Sequence, residues 1–288
     1  MLIYKQYDQA ALDRQYNNRL HVPDFATCIE RWRSLSRQTE KEYTVVKDIA
    51  YGKLSREQLD IYPSSQPSSK TLIFIHGGYW QKFDKADFQF IAKAFRANGI
   101  TTVIINYPLA PAVSIDQILL SCRGAIQWLY KNISAYNGDP DQIYVAGHSA
   151  GGQLAAMLMA THPIAIGWNQ FTISTNVIKG VCVISGLFNL EPIRLSDLNQ
   201  VLNMDKATAL RNSPVQLSPA TQCPLAIVVG GDETDEFRDQ SHELYTCWKE
   251  TIPAEIIRIE GLNHFSIIET MLDQASYLHG VMLRLMKI

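Results

Sequence analysis

The sequence predicts an α/β fold with one mostly parallel, doubly wound sheet, and three observations lead to this fold class. From residue 71 onward, short apolar segments typical of strands alternate with segments typical of helices. The strand segments are hydrophobic without interruption, as in sheets that helices cover on both faces. The turn Gly147-His148-Ser149-Ala150-Gly151 joins one buried strand directly to a helix of small residues. Right-handed crossovers between parallel strands then place these elements in one sheet.

The order of the elements follows from local signals. Residues 6–40 predict two helices, the first ended by Pro23 and the second capped by Asp24. Alternating runs at 43–49 and 58–62 predict an antiparallel hairpin. The strands after the hairpin are predicted at 71–75, 102–106, 143–146, 181–185, 225–229 and 256–259. The helices between and after them are predicted at 86–97, 114–133, 150–160, 236–250 and 265–286.

Two segments lie outside the alternation. Residues 1–65 form an N-terminal leader of helices and a hairpin, and a Pro/Ser-rich loop follows it. Residues 188–219 are too long for a plain connection and lie where a cap over a site would be inserted, with a packed surface excursion as the alternative. The length fits one large α/β domain or two small ones, and the continuous alternation of strands and helices favours one. We therefore expect a single domain over residues 1–288 with a small helical cap.

The composition excludes several classes of function. Apolar residues make up 47% of the chain and charged residues 19%, so a large core forms. A net charge of -2 gives no electrostatic footprint for nucleic acid or an anionic membrane. No apolar run approaches the ~20 residues that span a bilayer. The chain starts without the pattern of a secretory signal, and its five scattered cysteines include no Cys-x-x-Cys pair. We expect a cytoplasmic protein without nucleic-acid or membrane partners.

Ser149 is the first candidate for chemistry. Gly147 and Gly151 are required because a side chain at either position would collide with the backbone that crosses beside it. The strain of so sharp a turn lifts Ser149 out of the sheet with its hydroxyl exposed, which is the arrangement of a catalytic nucleophile. A Gly-Ser-Gly turn without chemistry is the alternative, and the strand before it and the helix after it favour catalysis.

A serine hydroxyl is a weak nucleophile and needs a base, an orienting acid and donors for the oxyanion. The donors are predicted at His76-Gly77-Gly78-Tyr79-Trp80, where a strand runs into a glycine turn. The N–H groups near Gly77 and Gly78 then point at the developing charge, and the N–H of Ala150 supplies another. His76 is expected to hold this turn by hydrogen bonding rather than to act as the base.

The base is expected in a loop after the last strand, and His264 is the histidine placed there. The acid is expected after the preceding strand, where Asp232, Glu233, Asp235 and Glu236 follow closely. The last two open the next helix, where acidic groups suit the positive end of the helix dipole. Composition leaves Asp232 and Glu233 open, since either residue type can orient a histidine.

Three motifs together resemble the kynurenine formamidase (arylformamidase) branch of the α/β-hydrolases. They are His76-Gly77-Gly78-Tyr79-Trp80, Gly147-His148-Ser149-Ala150-Gly151 and His264-Phe265-x-Ile267-Ile268-Glu269. The likeness extends through Ser185–Pro192 and Asn212-Ser213-Pro214 and covers nearly all of the chain from residue 70. In that branch the acid lies three residues after the strand-ending glycine and a few before Phe-x-x-Gln-Ser. Counting from Gly230 and back from Phe237 gives Glu233, where the animal enzymes carry Asp, and leaves Asp232 and then Asp235 as the alternatives.

The resemblance implies an α/β-hydrolase fold and a catalytic triad of Ser149, Glu233 and His264. It implies hydrolysis of N-formyl-kynurenine or a similar aryl formamide, so the expected partner is a small-molecule formamide or ester. A general carboxylesterase on short-chain or aryl esters is the alternative. A remote alternative is a non-catalytic binding protein on the same scaffold. Such proteins usually lose the serine, the histidine or the oxyanion turn, and this chain keeps all three.

The substrate pocket is expected among aromatic residues at the carboxyl ends of the strands, where ligands bind in such sheets. Tyr79, Trp80 and Phe188 are the candidates for substrate contact, and Tyr107 and Trp168 lie in similar loops. The histidines share no helix face at i, i+4 and the chain has no paired cysteines, so no metal site is expected. Without a phosphate loop or a dinucleotide fingerprint, no cofactor is expected either. The oligomeric state is not predicted.

Overall fold

The sheet predicted from the alternating pattern consists of eight strands. The computed structural model describes residues 1–160 and 174–288. Within them the strands are β1 (Val46–Ala50), β2 (Gln58–Tyr62), β3 (Ser69–Ile75), β4 (Thr101–Ile105), β5 (Gly138–His148), β6 (Ile178–Ile184), β7 (Leu225–Gly230) and β8 (Ala254–Ile259). Their order across the sheet is β1-β2-β4-β3-β5-β6-β7-β8. Strands β3 to β8 run parallel, whereas β1 and β2 are antiparallel to their neighbours. This arrangement confirms the mostly parallel, doubly wound sheet.

The helices begin and end near the predicted residues, with two exceptions. They are α1 (Gln9–Tyr16), α2 (Phe25–Glu42), α3 (Phe90–Arg96), α4 (Ile115–Asn132), α5 (Ala150–Met159), α6 (Glu191–Leu195), α7 (Asn199–Leu202), α8 (Lys206–Arg211), α9 (Asp235–Trp248), α10 (Ser266–Glu269) and α11 (Tyr277–Leu285). The first helix ends at Tyr16, seven residues before Pro23, and the side chain of Asp24 makes no capping hydrogen bond to the second helix. The single helix predicted at 265–286 is wrong, because the chain forms two separate helices there. The hydroxyl of Ser276 accepts a hydrogen bond from the N–H of His279, and this cap starts a new helix.

Strand β3 shows why its sequence is hydrophobic without interruption. Ile73 and Ile75 belong to the core cluster that includes residues of α4 and α5. Leu72 and Phe74 belong to the opposite cluster, which includes residues of α3 and α11. Successive side chains of a strand point to opposite faces, so burial of both faces requires an apolar residue at every position.

The leader is joined to distant parts of the chain by polar contacts. Helix α1 packs against α9 and α6, and α2 packs against α3. The hydroxyl of Tyr16 donates to the carboxylate of Glu236 at 3.1 Å, and the ammonium of Lys5 lies 3.0 Å from the same carboxylate. The indole N–H of Trp32 donates to Glu269 at 2.7 Å. These contacts tie the first helices to the elements that follow β7 and β8.

The segment 188–219 contains the short helices α6, α7 and α8. The N–H groups of Phe188 and Asn189 both donate to the amide oxygen of Gln240 at 2.7 Å, which joins the segment to α9. The boundaries of this cap and the single domain over residues 1–288 stay predictions. In the part of the chain that the structure describes, no helix is long and apolar enough to cross a membrane.

Candidate active site

The turn after β5 holds Ser149 in a strained backbone conformation. Its φ and ψ are 57° and -122°, a region that residues with a side chain rarely adopt. A Cβ at Gly147 would lie 2.1 Å from the carbonyl oxygen of Gly151, and a Cβ at Gly151 would lie 2.0 Å from that of Ile75. Both distances are far inside van der Waals contact. Glycine at these two positions therefore lets β3, β5 and α5 approach closely enough to form the turn.

The hydroxyl of Ser149 does not cap the helix that it precedes, although serine is a favoured capping residue. Ser149 is the residue before α5, and its side chain makes no capping hydrogen bond. Its N–H donates to the carbonyl of Ile184 at 2.8 Å, which ties the turn to β6. The residue is 3% exposed and lines a cavity. Ser149 thus lies in the cavity wall, and its hydroxyl is not used in a capping hydrogen bond to the helix.

A buried carboxylate orients the imidazole of His264, which follows β8. The Nδ1 atom of His264 lies 2.7 Å from Oε2 of Glu233. The other carboxylate oxygen, Oε1, accepts hydrogen bonds from the hydroxyl of Ser185 at 2.5 Å and from the N–H of Gly230 at 2.8 Å. Both His264 and Glu233 are buried. With three hydrogen bonds, the carboxylate is fixed at the end of β7, and it leaves Nε2 as the free nitrogen of His264.

The alternative acid, Asp232, lies elsewhere. Its side chain is exposed, as is that of Asp235. The N–H of Asp232 donates to the carbonyl of Leu262 at 3.0 Å, so this residue contributes its backbone to the junction between the two loops. Of the carboxylates considered from the sequence, the structure thus brings Glu233, and not Asp232, to the imidazole of His264.

His148 supports the backbone that carries His264. Its Nε2 atom lies 2.9 Å from the carbonyl oxygen of His264, and the two rings are 4.7 Å apart between centroids. Burial, with the nearby charge of His264, holds the pKa of His148 well below its ordinary value. A neutral His148 donates one hydrogen bond through the N–H at Nε2. The structure assigns this histidine a place between the serine turn and the histidine loop, which the sequence did not indicate.

The glycine turn after β3 contains several residues with positive φ. Gly78 has a φ of 105°, Tyr79 of 51° and Trp80 of 58°. Among the described turns and loops, the N–H groups of Gly77, Gly78 and Ala150 donate to no carbonyl group. A Cβ at Gly77 would lie 2.8 Å from that of Ser149, so this backbone passes directly beside the serine. Unused donors beside a hydroxyl are what an oxyanion hole requires.

His76 holds this turn in place through a hydrogen bond and ring stacking in the protein core. Its Nδ1 atom lies 2.8 Å from the carbonyl oxygen of Gly77, and its ring stacks on Phe88 and Tyr107. The hydroxyl of Tyr107 donates to the carbonyl of His76 at 2.8 Å. Burial lowers the pKa of His76 to about 4, so the ring is neutral at neutral pH. His76 is fully buried, in the position of a structural support rather than a base.

The serine, the histidine and the glycine turn meet at one cavity of about 360 Å³. Ser149, His264, Gly77 and Gly78 all contribute to its wall. Tyr79, the first candidate for substrate contact, also lines it. The three loops that contain the sequence motifs therefore form part of the wall of this cavity.

The structure corrects the expectation for Trp80 and Phe188, because neither is among the described residues that line the cavity. Both have no exposed surface. The indole N–H of Trp80 donates to the side-chain oxygen of Gln153 at 3.0 Å, so the ring points into the core. The ring of Phe188 packs directly against Gly186, since a Cβ atom built on Gly186 would lie 2.2 Å from a ring carbon of Phe188. Trp168, which the sequence placed in a similar loop, lies outside the described residues.

The leader supplies a large part of the cavity wall, which sequence reasoning missed. Tyr16, Arg19, Phe25 and Trp32 line the cavity together with Leu198 and other residues of the cap segment. The sequence showed only amphipathic helices here, and an aromatic residue on such a helix is indistinguishable from ordinary core. Among the described residues, no group of three or more His, Cys, Asp or Glu side chains is arranged to hold a metal ion.

Comparisons with known proteins agree with this architecture. The model of the BD-FAE family matches residues 59–246. The kynurenine formamidase of Danio rerio is 31% identical over 276 residues, which cover 93% of this chain and 88% of that protein. The crystal structure of a putative thioesterase from Silicibacter sp. TM1040 has a TM-score of 0.80 and 28% identity, and covers 94% of this chain and 98% of its own. Esterase B from Lactobacillus rhamnosis, at 16% identity and a TM-score of 0.70 over 94% and 95% of the two chains, shares the fold.

Proposed function

The chain belongs to the BD-FAE family and, within the α/β-hydrolases, to the kynurenine formamidase and carboxylesterase branch. From this premise we propose that it is a serine hydrolase that forms an acyl enzyme. The observation that carries the proposal is that His264 lines the same cavity as Ser149 and is held from behind by the buried carboxylate of Glu233, at 2.7 Å from Nδ1. The hydrolase class follows from the relatives, and the assignment of Ser149 as nucleophile is ours.

In the proposed mechanism, Glu233 holds a proton on Nδ1 of His264, so that Nε2 is unprotonated and serves as the base. Nε2 takes the proton of the Ser149 hydroxyl while Oγ attacks the substrate carbonyl carbon. The carbonyl π electrons move to its oxygen, and the N–H groups of Gly77, Gly78 and Ala150 donate to the oxyanion. Losing one such donor typically costs about 3–4 kcal/mol of transition-state stabilisation.

The oxyanion then collapses and breaks the bond to the leaving group, which takes the proton from His264. Water enters, gives a proton to Nε2 of His264 and attacks the acyl carbon. In the second collapse the bond between this carbon and Oγ of Ser149 breaks, His264 returns the proton to Oγ, and the carboxylic acid is released. Both half-reactions use one base and one set of donors.

A fluorophosphonate probe tests the nucleophile. The purified protein is expected to react covalently at Ser149, with the adduct located by mass spectrometry of the peptide. The Ser149→Ala variant, folded by circular dichroism, is the control and is expected to stay unlabelled. Labelling at another residue, or none in the folded wild-type protein, refutes the proposal.

The substrate class is proposed from a relative that resembles the chain over most of its length, the kynurenine formamidase of Danio rerio. We propose an aryl formamide such as N-formyl-kynurenine as the substrate. The putative thioesterase from Silicibacter, at 28% identity, favours an ester-cleaving enzyme, here a carboxylesterase, as the second candidate. The ratio of kcat/KM for N-formyl-kynurenine and p-nitrophenyl acetate separates the two, and an ester preference of several orders of magnitude rejects the formamidase.

A further inference from the structure

Two cationic side chains, Arg19 and Lys82, line the mouth of the cavity that contains Ser149. Both also line an adjoining groove of about 380 Å³, and Phe25 and Phe83 share the two spaces with them. The cations therefore lie where the cavity opens into the groove. A substrate that enters through this opening passes between an aromatic wall and two positive charges.

Neither cation has a counter-ion among the described residues. The ion pairs within residues 1–160 and 174–288 involve other side chains. By contrast, Arg33, which lines the adjoining groove, lies 2.9 Å from a carboxylate oxygen of Asp87. The guanidinium of Arg19 instead lies over the ring of Phe25, 4.8 Å from its centroid. Arg19 and Lys82 are thus unneutralised within a cluster whose other arginine is paired.

The two charges act on each other. Partial burial, with the charge of Arg19, lowers the pKa of Lys82 below its ordinary value. Like charges that are close enough to affect one another destabilise the empty site, and an anion between them relieves that repulsion. Two acidic residues, Asp13 and Asp197, also line the cavity, and neither forms an ion pair with Arg19 or Lys82 among the described residues. Asp13 is instead hydrogen-bonded to its neighbours. Its carboxylate already accepts hydrogen bonds from the N–H of Asp197 at 2.8 Å and from Gln9.

The backbone of Lys82 has a fixed position relative to the proposed oxyanion donors. Its N–H donates to the carbonyl of Gly78 at 3.0 Å, so the cation and the glycine amides belong to one hydrogen-bonded turn. Arg19 is fixed by its contact with Phe25 and by the short helical turn Asn18–Leu20. A negative group held by these two side chains therefore lies in the cavity that Ser149 also lines.

We propose that Arg19 and Lys82 form a carboxylate subsite, which selects esters or formamides whose leaving group bears a carboxylate. Phe25 and Phe83 line the cavity and the groove together with the two cations, and they suit an aromatic ring between the carboxylate and the reacting bond. Arginine offers two parallel donors to a carboxylate, and lysine adds a point charge. The inference rests on the proposed serine hydrolase function and deepens it by naming a specificity-determining pair.

Two matched substrates test the subsite: (4-acetoxyphenyl)acetate and its neutral amide, (4-acetoxyphenyl)acetamide. A methylene separates the charge from the ring, so the two phenols leave with similar ease. The wild-type enzyme is expected to favour the anion by about tenfold in kcat/KM, mainly through KM, as tenfold corresponds to about 1.4 kcal/mol. The preference is expected to shrink in 1 M NaCl, where the screening length falls to about 3 Å.

In the double variant Arg19→Gln/Lys82→Gln, the kcat/KM for the anion divided by that for the neutral amide is expected to be near one. In Arg19→Glu/Lys82→Glu this ratio is expected to fall below one. The matched control is Lys53→Gln/Lys131→Gln, which removes two charges from exposed lysines that line neither space. It is expected to keep the wild-type ratio. The single variant Lys82→Gln serves if the double variant does not fold, and its ratio is expected to fall about threefold.

The outcomes separate the two proposals. A wild-type enzyme that hydrolyses both esters equally, or a folded Arg19→Gln/Lys82→Gln variant with an unchanged ratio, overturns the subsite and leaves the serine hydrolase in place. An enzyme that hydrolyses neither ester and is not labelled by a fluorophosphonate at Ser149 overturns the hydrolase mechanism itself. Calorimetric binding of both esters to Ser149→Ala gives an independent reading, because the subsite predicts tighter binding of the anion without turnover.

Discussion

Replacement of Glu233 by glutamine removes one charge from the proposed triad and changes almost nothing in volume. The carboxylate lies 2.7 Å from Nδ1 of His264 and accepts two further hydrogen bonds, from Ser185 and Gly230. A glutamine amide has only one acceptor oxygen. If its nitrogen faces His264, the imidazole must carry its proton on Nε2 and is then no base for Ser149. If its oxygen faces His264, the amide nitrogen meets the N–H of Gly230 and two donors oppose each other.

The magnitude follows from the buried geometry. Protonation of His264 in the transition state creates an ion pair with Glu233, and both side chains are at most 5% exposed. Two unit charges about 4 Å apart attract each other by about 4 kcal/mol at an effective dielectric constant of 20. At 1.36 kcal/mol per decade, this attraction corresponds to about a thousandfold in kcat. The disturbed tautomer adds to the loss, so we expect Glu233→Gln to lower kcat at least a thousandfold with little change in KM.

The assay is steady-state hydrolysis of an aryl acetate by the wild-type enzyme, Glu233→Gln and the matched control Asp232→Asn. Asp232 is exposed, so its variant is expected to stay within about twofold of wild type, as exposed charges contribute little. Circular dichroism and thermal unfolding establish that each variant is folded. A folded Glu233→Gln enzyme that keeps more than a tenth of the wild-type kcat refutes the reasoning, as does an equal loss in Asp232→Asn.

Three further predictions concern stability and positioning. Ser149→Ala is expected to abolish turnover. Because the hydroxyl caps no helix, the free energy of unfolding in a urea titration is expected to change by less than about 0.5 kcal/mol. A loss of about 1 kcal/mol would show a capping role. Ser185→Ala is expected to lower kcat about tenfold at unchanged KM, since the hydroxyl acts only through Glu233; a rise in KM alone contradicts this. Burial holds the pKa of His76 at about 4, so below about pH 6.5 the unfolded chain binds a proton that the folded chain does not, and stability is lost as the pH falls. Between pH 7.5 and 5.5 wild type is expected to lose about 1 kcal/mol more than His76→Asn, and equal losses in the two proteins refute the assignment.

The parts of the site that the sequence predicts well are local. The strand, the strained turn and the helix around Ser149 follow one another within about twenty residues, and the two glycines are explained by backbone atoms of the same turn and of one neighbouring strand. His264 and the acid follow from chain order in a parallel sheet, since the carboxyl ends of adjacent strands meet at one edge. Such rules need no knowledge of side-chain packing.

The parts that it predicts poorly depend on contacts between distant segments. Tyr16 and Trp32 line the cavity because Glu236 and Glu269, more than 200 residues away, hold their helices there. The spacing of apolar residues in the sequence does not indicate which distant residues are in contact. The misplacement of Trp80 has the same origin: its position in the oxyanion turn indicates the site, but a positive φ and the amide of Gln153 turn the ring into the core.

The choice between Asp232 and Glu233 shows how a local turn resolves what composition leaves open. After β7 the N–H of Glu233 donates to the carbonyl of Gly230, and the carboxylate of Glu233 returns to accept from the N–H of Gly230. This reciprocal turn directs residue 233 inward and leaves residue 232 outside. A glutamate spans the distance from this turn to both His264 and Ser185, whereas an aspartate is shorter by one carbon–carbon bond of about 1.5 Å. In this backbone an aspartate cannot keep hydrogen bonds of 2.7 Å and 2.5 Å on opposite oxygens, so the residue type and the geometry of the turn have to change together.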